Sequence, residues 1–204
     1  MTPEPAGETA SAMHGPLAAF LHAQLGALPD APAAALATAR AVPLAAGQPL
    51  LQAGQTWSQL FWVEQGALRL YYLDREGRAA NKNFYLDGAM LWPLTPALAG
   101  QPVDFWVEAI GPSCVWVLPW RAWQAACTTW PAWQALEHRM LAVLLDDKMR
   151  REQQFLQCSA EERYQAVCAT RPEWLARIPL RHLASYLGIT DVALSRIRRR
   201  LKTA

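Results

Sequence analysis

A single glycine, Gly188, restricts this chain more than any other residue. It separates two helical patterns in LRHLASYLGITDVALSRIRRRL, residues 180–201. Leu180, Leu183, Ala184 and Leu187 recur at the helical spacing and give the first stretch one apolar face. A residue just past a helix end often takes positive φ, which glycine adopts without a Cβ penalty. Ile189 can plug the angle between the helices, and Thr190 is a good N-cap for the second. There Leu194, Ile197 and Leu201 form the inward stripe, while Asp191, Val192, Ser195, Arg196 and Arg199 face outward, flanked by Arg198, Arg200 and Lys202. Outward guanidinium groups suit the DNA major groove, where arginine bonds guanine and neighbouring cations meet phosphates. The arginines alone fit a solvated C-terminal helix that complements its own dipole. The leucine spacing, Gly188 and Thr190 together favour a helix-turn-helix.

Charge points the same way. The chain of 204 residues has a net charge of only +2, yet Arg181, Arg196, Arg198, Arg199, Arg200 and Lys202 gather at its end against Asp191. That asymmetry implies a local anionic partner. A 52 % hydrophobic content with ten tryptophans predicts a substantial core. No apolar run is long enough to span a membrane and no signal-peptide pattern opens the chain, so a soluble, cytoplasmic protein is expected. Cys114, Cys127, Cys158 and Cys168 form no C-x-x-C pair and read as free, mostly buried thiols, with no motif behind a redox role. No cofactor is expected. A cupin-type enzyme needs histidines on neighbouring strands. His14, His22, His138 and His182 all lie outside the strand-rich region, and no P-loop or nucleophile elbow is present. An enzyme is therefore not expected.

In chain order, residues 1–14 read as a disordered tail, followed by short helices at 16–25 and 31–40. From residue 41 the texture changes to short apolar runs between glycines at 47, 54, 66 and 77, with DREG at 74–77 a hairpin turn. Strands are expected at 60–63, 67–73, 83–86, 104–109 and 114–118, forming an antiparallel barrel or roll. A Trp-rich connection at 120–133 leads to a long helix at 131–157, opened by Pro131. Leu136, Met140, Val143 and Leu144 form a seam for a partner helix or a buried intramolecular face. Ser159 and Glu162 make a capping box after a break near Cys158. The expected division is a tail (1–14), a sensor roll (15–130), a long helix (131–157) and a helix-turn-helix domain (158–204).

SAEERY at 159–164, ASYLGIT at 184–190 and LSRIRRRL at 194–201 resemble the C-terminal domain of Crp/Fnr transcriptional regulators. The resemblance covers about residues 41–201 and implies an α+β fold. An antiparallel β-roll of the jelly-roll, cyclic-nucleotide-binding type would carry flanking helices, a long connecting helix and a small all-α domain. It also implies a homodimer seamed by the 131–157 helix, double-stranded DNA as partner, a pseudo-palindromic operator and contact with RNA polymerase. Arg196 matches the family's base-reading arginine and Ser195 a polar contact position, and with Arg199 they are expected to carry most of the base reading, joined by Asp191 and Val192. Asp191 and Val192 stand where other members often carry Arg or Glu. Phosphate contacts then fall to Arg181, His182, Thr190, Arg198, Arg199, Arg200 and Lys202. The chain stops three residues after Leu201, so the family's C-terminal wing is expected to be missing.

The resemblance also implies a phosphate cassette, a Gly-Glu pair followed by Arg and Ser or Thr, whose donors replace the phosphate's water. Aligned from Gly88, these fall on Trp92-Pro93 and Val103-Asp104, so no cassette residue is retained. A small apolar effector among Trp62, Tyr71, Phe84, Trp92, Pro93, Val103, Asp104 and Trp106 is one expectation. The other is that these aromatics simply fill the roll. Calorimetric titration with cAMP is expected to show no binding in the micromolar range, and micromolar affinity would overturn the cassette reading.

Overall fold

The computed structural model describes residues 15–203, with side chains as far as Leu201. The expected disordered tail lies outside the described residues, as does the Lys202 side chain. Two helices, α1 (Pro16–Leu25) and α2 (Asp30–Leu36), lead into the strands. The strands are β1 (Arg40–Leu44), β2 (Pro49–Leu51), β3 (Gln59–Gln65), β4 (Ala67–Leu73), β5 (Ala79–Leu86), β6 (Met90–Leu91), β7 (Trp106–Ala109) and β8 (Ser113–Pro119). A short helix, α3 (Pro96–Gly100), interrupts them. All pairings are antiparallel, in two four-stranded sheets ordered β1-β8-β3-β6 and β2-β7-β4-β5. This is the expected α+β roll.

Side-chain alternation along the strands explains its core. Phe61, Val63, Leu68, Leu70, Val107, Val115 and Val117 point between the sheets and pack with Trp57, Val103 and Phe105. β3 is central to its sheet, and its other face, Leu60 and Trp62, is also buried. That face packs against α1 and against α4 (Trp120–Cys127), a helix within the Trp-rich stretch read above as a connection. Trp92, Trp120, Trp123 and Trp133 form a chain of ring contacts with centroids 5.1–6.4 Å apart. Aromatic pairs at this spacing add to area burial.

Trp133 and Leu136 anchor the start of α5 (Pro131–Gln157) in that cluster. The helix ends at Cys158, where Ser159 and Glu162 form the expected capping box for α6 (Ala160–Thr170). Then come α7 (Pro172–Arg177), α8 (Leu180–Leu187) and α9 (Asp191–Thr203). Leu183, Ala184, Leu187, Leu194 and Ile197 close a third cluster with Tyr164, Val167 and Trp174, which also takes in Ala67 and Phe84 from the roll. The α-helical domain is thus packed directly on the second sheet.

Gly188 takes φ of +70°, and a Cβ there would lie 2.8 Å from the Phe155 ring. Gly188→Ala is expected to cost about 1–2 kcal/mol, the penalty of left-handed backbone for an L-residue. Urea unfolding checks this. The cost should persist in a Phe155→Ala background, because it resides in the backbone rather than in the ring contact.

Candidate nucleic-acid interface and interdomain cavity

The helix-turn-helix is built locally. The Ile189 N–H donates to Ala184 O (3.0 Å) and the Leu194 N–H to Thr190 O (3.0 Å). The Thr190 hydroxyl accepts from the Ala193 N–H at 3.2 Å, so this residue serves as the N-cap. Arg163 donates to Leu187 O (3.2 Å) and Cys158 O (2.7 Å), satisfying carbonyls at the ends of α8 and α5 together. With Leu194 and Ile197 buried, α9 turns Asp191, Val192, Ser195, Arg196 and Arg199 to solvent. Arg181 is exposed, Arg198 is half-buried beside Tyr164, and Arg200 pairs with Glu161.

His182 departs from the expected phosphate contact. It is buried, and its Nδ1 lies 3.3 Å from Arg69 Nη1 on β4. A guanidinium can only donate, so Nδ1 accepts and the imidazole proton sits on Nε2. Arg69 also donates to Glu108 through Nε (3.1 Å) and Nη2 (2.9 Å), and the Tyr71 hydroxyl donates to Glu108 at 2.8 Å. Burial, then the charges of Arg69 and Arg181, push His182 down to about 4. Burial, then Glu108, pushes Tyr71 up to about 12. His182 belongs to the joint between α8 and the roll.

That joint has further bonds along β5, an edge strand. The Ser185 hydroxyl donates to Ala79 O (2.8 Å) and accepts from the Asn81 N–H (3.0 Å). Asn81 Nδ2 donates to His182 O at 3.3 Å. Arg151 on α5 donates to Lys82 O (2.6 Å), Asn81 O (3.1 Å) and Tyr186 O (3.0 Å), with its guanidinium 4.3 Å from the Tyr186 ring centre. Arg177 closes the other end on Asp87 (2.7 Å) and Gly66 O (2.7 Å), and holds the Asp87 carboxyl below its usual range. Sequence reasoning missed Arg151 and Ser185, whose partners lie 69–106 residues away or on another helix.

The expected effector pocket is not assembled. Tyr71, Phe84 and Trp106 sit on the outer face of the second sheet, where Tyr71 stacks on Trp106 (6.3 Å) and Phe84 meets Trp174 (5.0 Å). Trp62 packs on Phe20 of α1 at 5.1 Å, and Val103 fills the roll interior. Pro93 is buried and Asp104 exposed. Of the eight residues, Trp92 alone lines the main cavity, a space of about 880 Å³ between the roll, α5 and the helix-turn-helix domain. The roll contributes Tyr72 and Tyr85 instead, neighbours of the expected Tyr71 and Phe84.

Of the four residues read as a partner seam or an intramolecular face, Leu136 is buried within the chain, Met140 and Leu144 are half-buried along the cavity, and Val143 borders the cavity with 48 % of its surface exposed. The opposite face of α5 exposes Leu141, Leu145, Met149 and Leu156, the last 78 % exposed. Among the described residues the four cysteines are free, and burial pushes Cys127 up to about 12. Also among these residues, no His, Cys, Asp and Glu cluster could hold a metal, and no helix is long and apolar enough to cross a membrane.

Residues 41–129 match the cyclic nucleotide-binding domain family. FixK2 from Bradyrhizobium japonicum superposes with a TM-score of 0.70 at 21 % identity, over 81 % of this chain and 85 % of that one. A chain described as a transcriptional regulator of the crp/fnr family from Eubacterium rectale superposes at 0.68 and 17 % identity, covering 86 % and 84 %. The chain therefore shares the fold of these regulators. The c-di-GMP-responsive regulator CLP from Xanthomonas campestris gives 0.66 at 13 % identity, covering 82 % and 88 %. No curated protein sequence matches the chain.

In this Crp/Fnr fold, His182 generates a pH dependence. Its folded value near 4 lies below the ordinary 6.5, so between these pH values the unfolded chain binds the extra proton. Stability present above pH 6.5 is therefore lost as pH falls towards 4. Urea unfolding at neutral and acid pH is expected to show a shallower acid loss for His182→Gln than for the unaltered chain.

Proposed function

We propose that the chain is a DNA-binding transcription regulator of the Crp/Fnr type, reading a pseudo-palindromic operator as a homodimer. The observation that carries this reading is α9, whose apolar stripe is buried while Asp191, Val192, Ser195 and Arg196 face solvent. Arg196 is positioned to read a base edge. Val192 can touch a thymine methyl but cannot accept a hydrogen bond from a base. Arg181, Arg198, Arg199 and Arg200 supply the phosphate-facing charge.

The homodimer reading moves to the exposed face of α5. Leu141, Leu145, Met149 and Leu156 repeat at intervals of four and seven, a stripe that a second copy of the helix would cover. Two-fold symmetry then sets two recognition helices about one DNA turn, ~34 Å, apart. A non-cyclic-nucleotide effector in the cavity would touch both α5 and the helical domain, and so would bias one arrangement of the reading heads.

Mobility shift on DNA upstream of target genes tests the whole reading. Specific, strongly salt-dependent binding is expected, weakened about tenfold or more by Arg196→Ala, from a contact of roughly 1–3 kcal/mol. Leu145→Glu is expected to yield a monomer in sedimentation and to lose specific binding. Binding indifferent to DNA sequence and to Arg196 would instead support an interaction module that keeps the fold without reading an operator.

A further inference from the structure

The wall of the cavity is divided by chemistry. Trp57, Tyr72, Phe105, Leu98, Met140 and Leu144 make one part apolar and aromatic. The remainder carries Lys82, Lys148, Arg150, Arg151 and Arg171 against Asp147 and Glu152. Asp147 is already committed to Arg150 (3.1 Å) and Arg171 (2.9 Å). Among the described residues, neither Lys82 nor Arg151 forms an ion pair.

Lys82 owes its position to a β-bulge. The pairing of β4 with β5 runs Leu70↔Asn83 and then Tyr71↔Asn81, leaving Lys82 as the extra residue. Both Lys82 and Asn83 consequently line the cavity. The ammonium lies 5.6 Å from the Tyr72 ring centre and 5.7 Å from that of Phe105, where the aromatic wall meets the cations. Burial lowers the pKa of Lys82 and of Arg151; at Lys82 the Asp104 carboxylate offsets part of this from beyond ion-pair distance, so both charges have lost hydration without a carboxylate in contact. Three of the five Arg151 donors are spent on backbone carbonyls, which leaves two for a ligand.

We propose that this cavity binds an organic anion with an aromatic or alkyl body, its charged head seated at Lys82 and Arg151. The proposal rests on the effector-gated regulator reading above and names the ligand class. The head is a carboxylate or sulfonate rather than a cyclic phosphate, because the cassette positions Trp92, Pro93 and Val103 are buried apolar groups. About 880 Å³ is ample for a drug-sized body. Arg151 connects occupancy to DNA reading, since the guanidinium that would meet the ligand also holds Tyr186 of α8.

The test is fluorescence titration of the full chain with anilinonaphthalene sulfonate and with its uncharged parent, phenylnaphthylamine. The sulfonate is expected to bind about tenfold tighter, the difference made by charge-assisted hydrogen bonds. Lys82→Gln should lose most of that advantage while leaving the neutral probe unchanged, and Lys82→Arg should retain it. Equal affinity for the two probes overturns the proposal, as does sulfonate binding indifferent to Lys82→Gln, which would place the probe on the exposed face of α5. The two-probe comparison needs no variant and decides even where Lys82→Gln does not fold. Displacement of the probe by cAMP at micromolar concentration also overturns it. Probe discrimination is read without DNA. Its failure beside intact operator binding counts against this site alone, and its success beside absent operator binding counts against the regulator reading alone.

Discussion

An edge strand leaves a row of backbone donors and acceptors unpaired, and much of this structure follows from how β5 satisfies them. Burying such groups without partners costs more than a hydrogen bond normally contributes. Here Ser185, one hydroxyl on α8, both donates to Ala79 O and accepts from the Asn81 N–H. Arg151 takes two successive carbonyls, those of Asn81 and Lys82, which a bulge brings within reach of one guanidinium. The helix-turn-helix domain therefore acts as the cover of the sheet edge. Its orientation on the roll, and the cavity beneath it, are consequences of that arrangement.

Apolar packing distributes the rest. The first sheet is covered on its outer face by α1, α4 and the start of α5, where tryptophans fill the space. The second sheet presents a more polar outer face, with Arg69, Tyr71 and Glu108 hydrogen-bonded together and His182 set against Arg69. Helix α5 runs past both regions and has two unlike faces. One closes the tryptophan cluster and then the cavity, and the other exposes leucine and methionine. A helix apolar on two opposite faces is suited to two partners, here the roll and, in the proposed dimer, a second copy.

The helical end of the chain was legible residue by residue. Gly188, the Thr190 cap, the Ser159–Glu162 box and the outward set on α9 all lie within a few residues of their partners. The strands were legible as elements, but not as faces. Tyr71 and Phe84 were expected in a pocket that Tyr72 and Tyr85 line instead. Neighbours on a strand point to opposite sides, so an error of one residue exchanges inside for outside. The bulge at Lys82 breaks the alternation between those two sites. Helix α5 was ambiguous for a related reason. Leu136, Met140, Val143 and Leu144 share one face of it, but periodicity cannot tell which of two apolar faces packs against the chain itself.

His182 illustrates the boundary between the two kinds of information. On a helical wheel it is a polar residue next to Arg181, fit for phosphate. In the folded chain the docking of α8 against β4 and β5 buries it against Arg69 and holds it neutral. By itself the sequence determined the helix-turn-helix, the break at Cys158 and the existence of a roll. Each of these depends on local backbone preference, short-range periodicity or the identity of single residues. Only the tertiary structure decided where the cavity lies, which face of α5 remains open and which cations, among the described residues, form no ion pair. Those outcomes depend on strand register and on contacts between residues far apart in the chain, and such contacts leave no periodic trace in either segment.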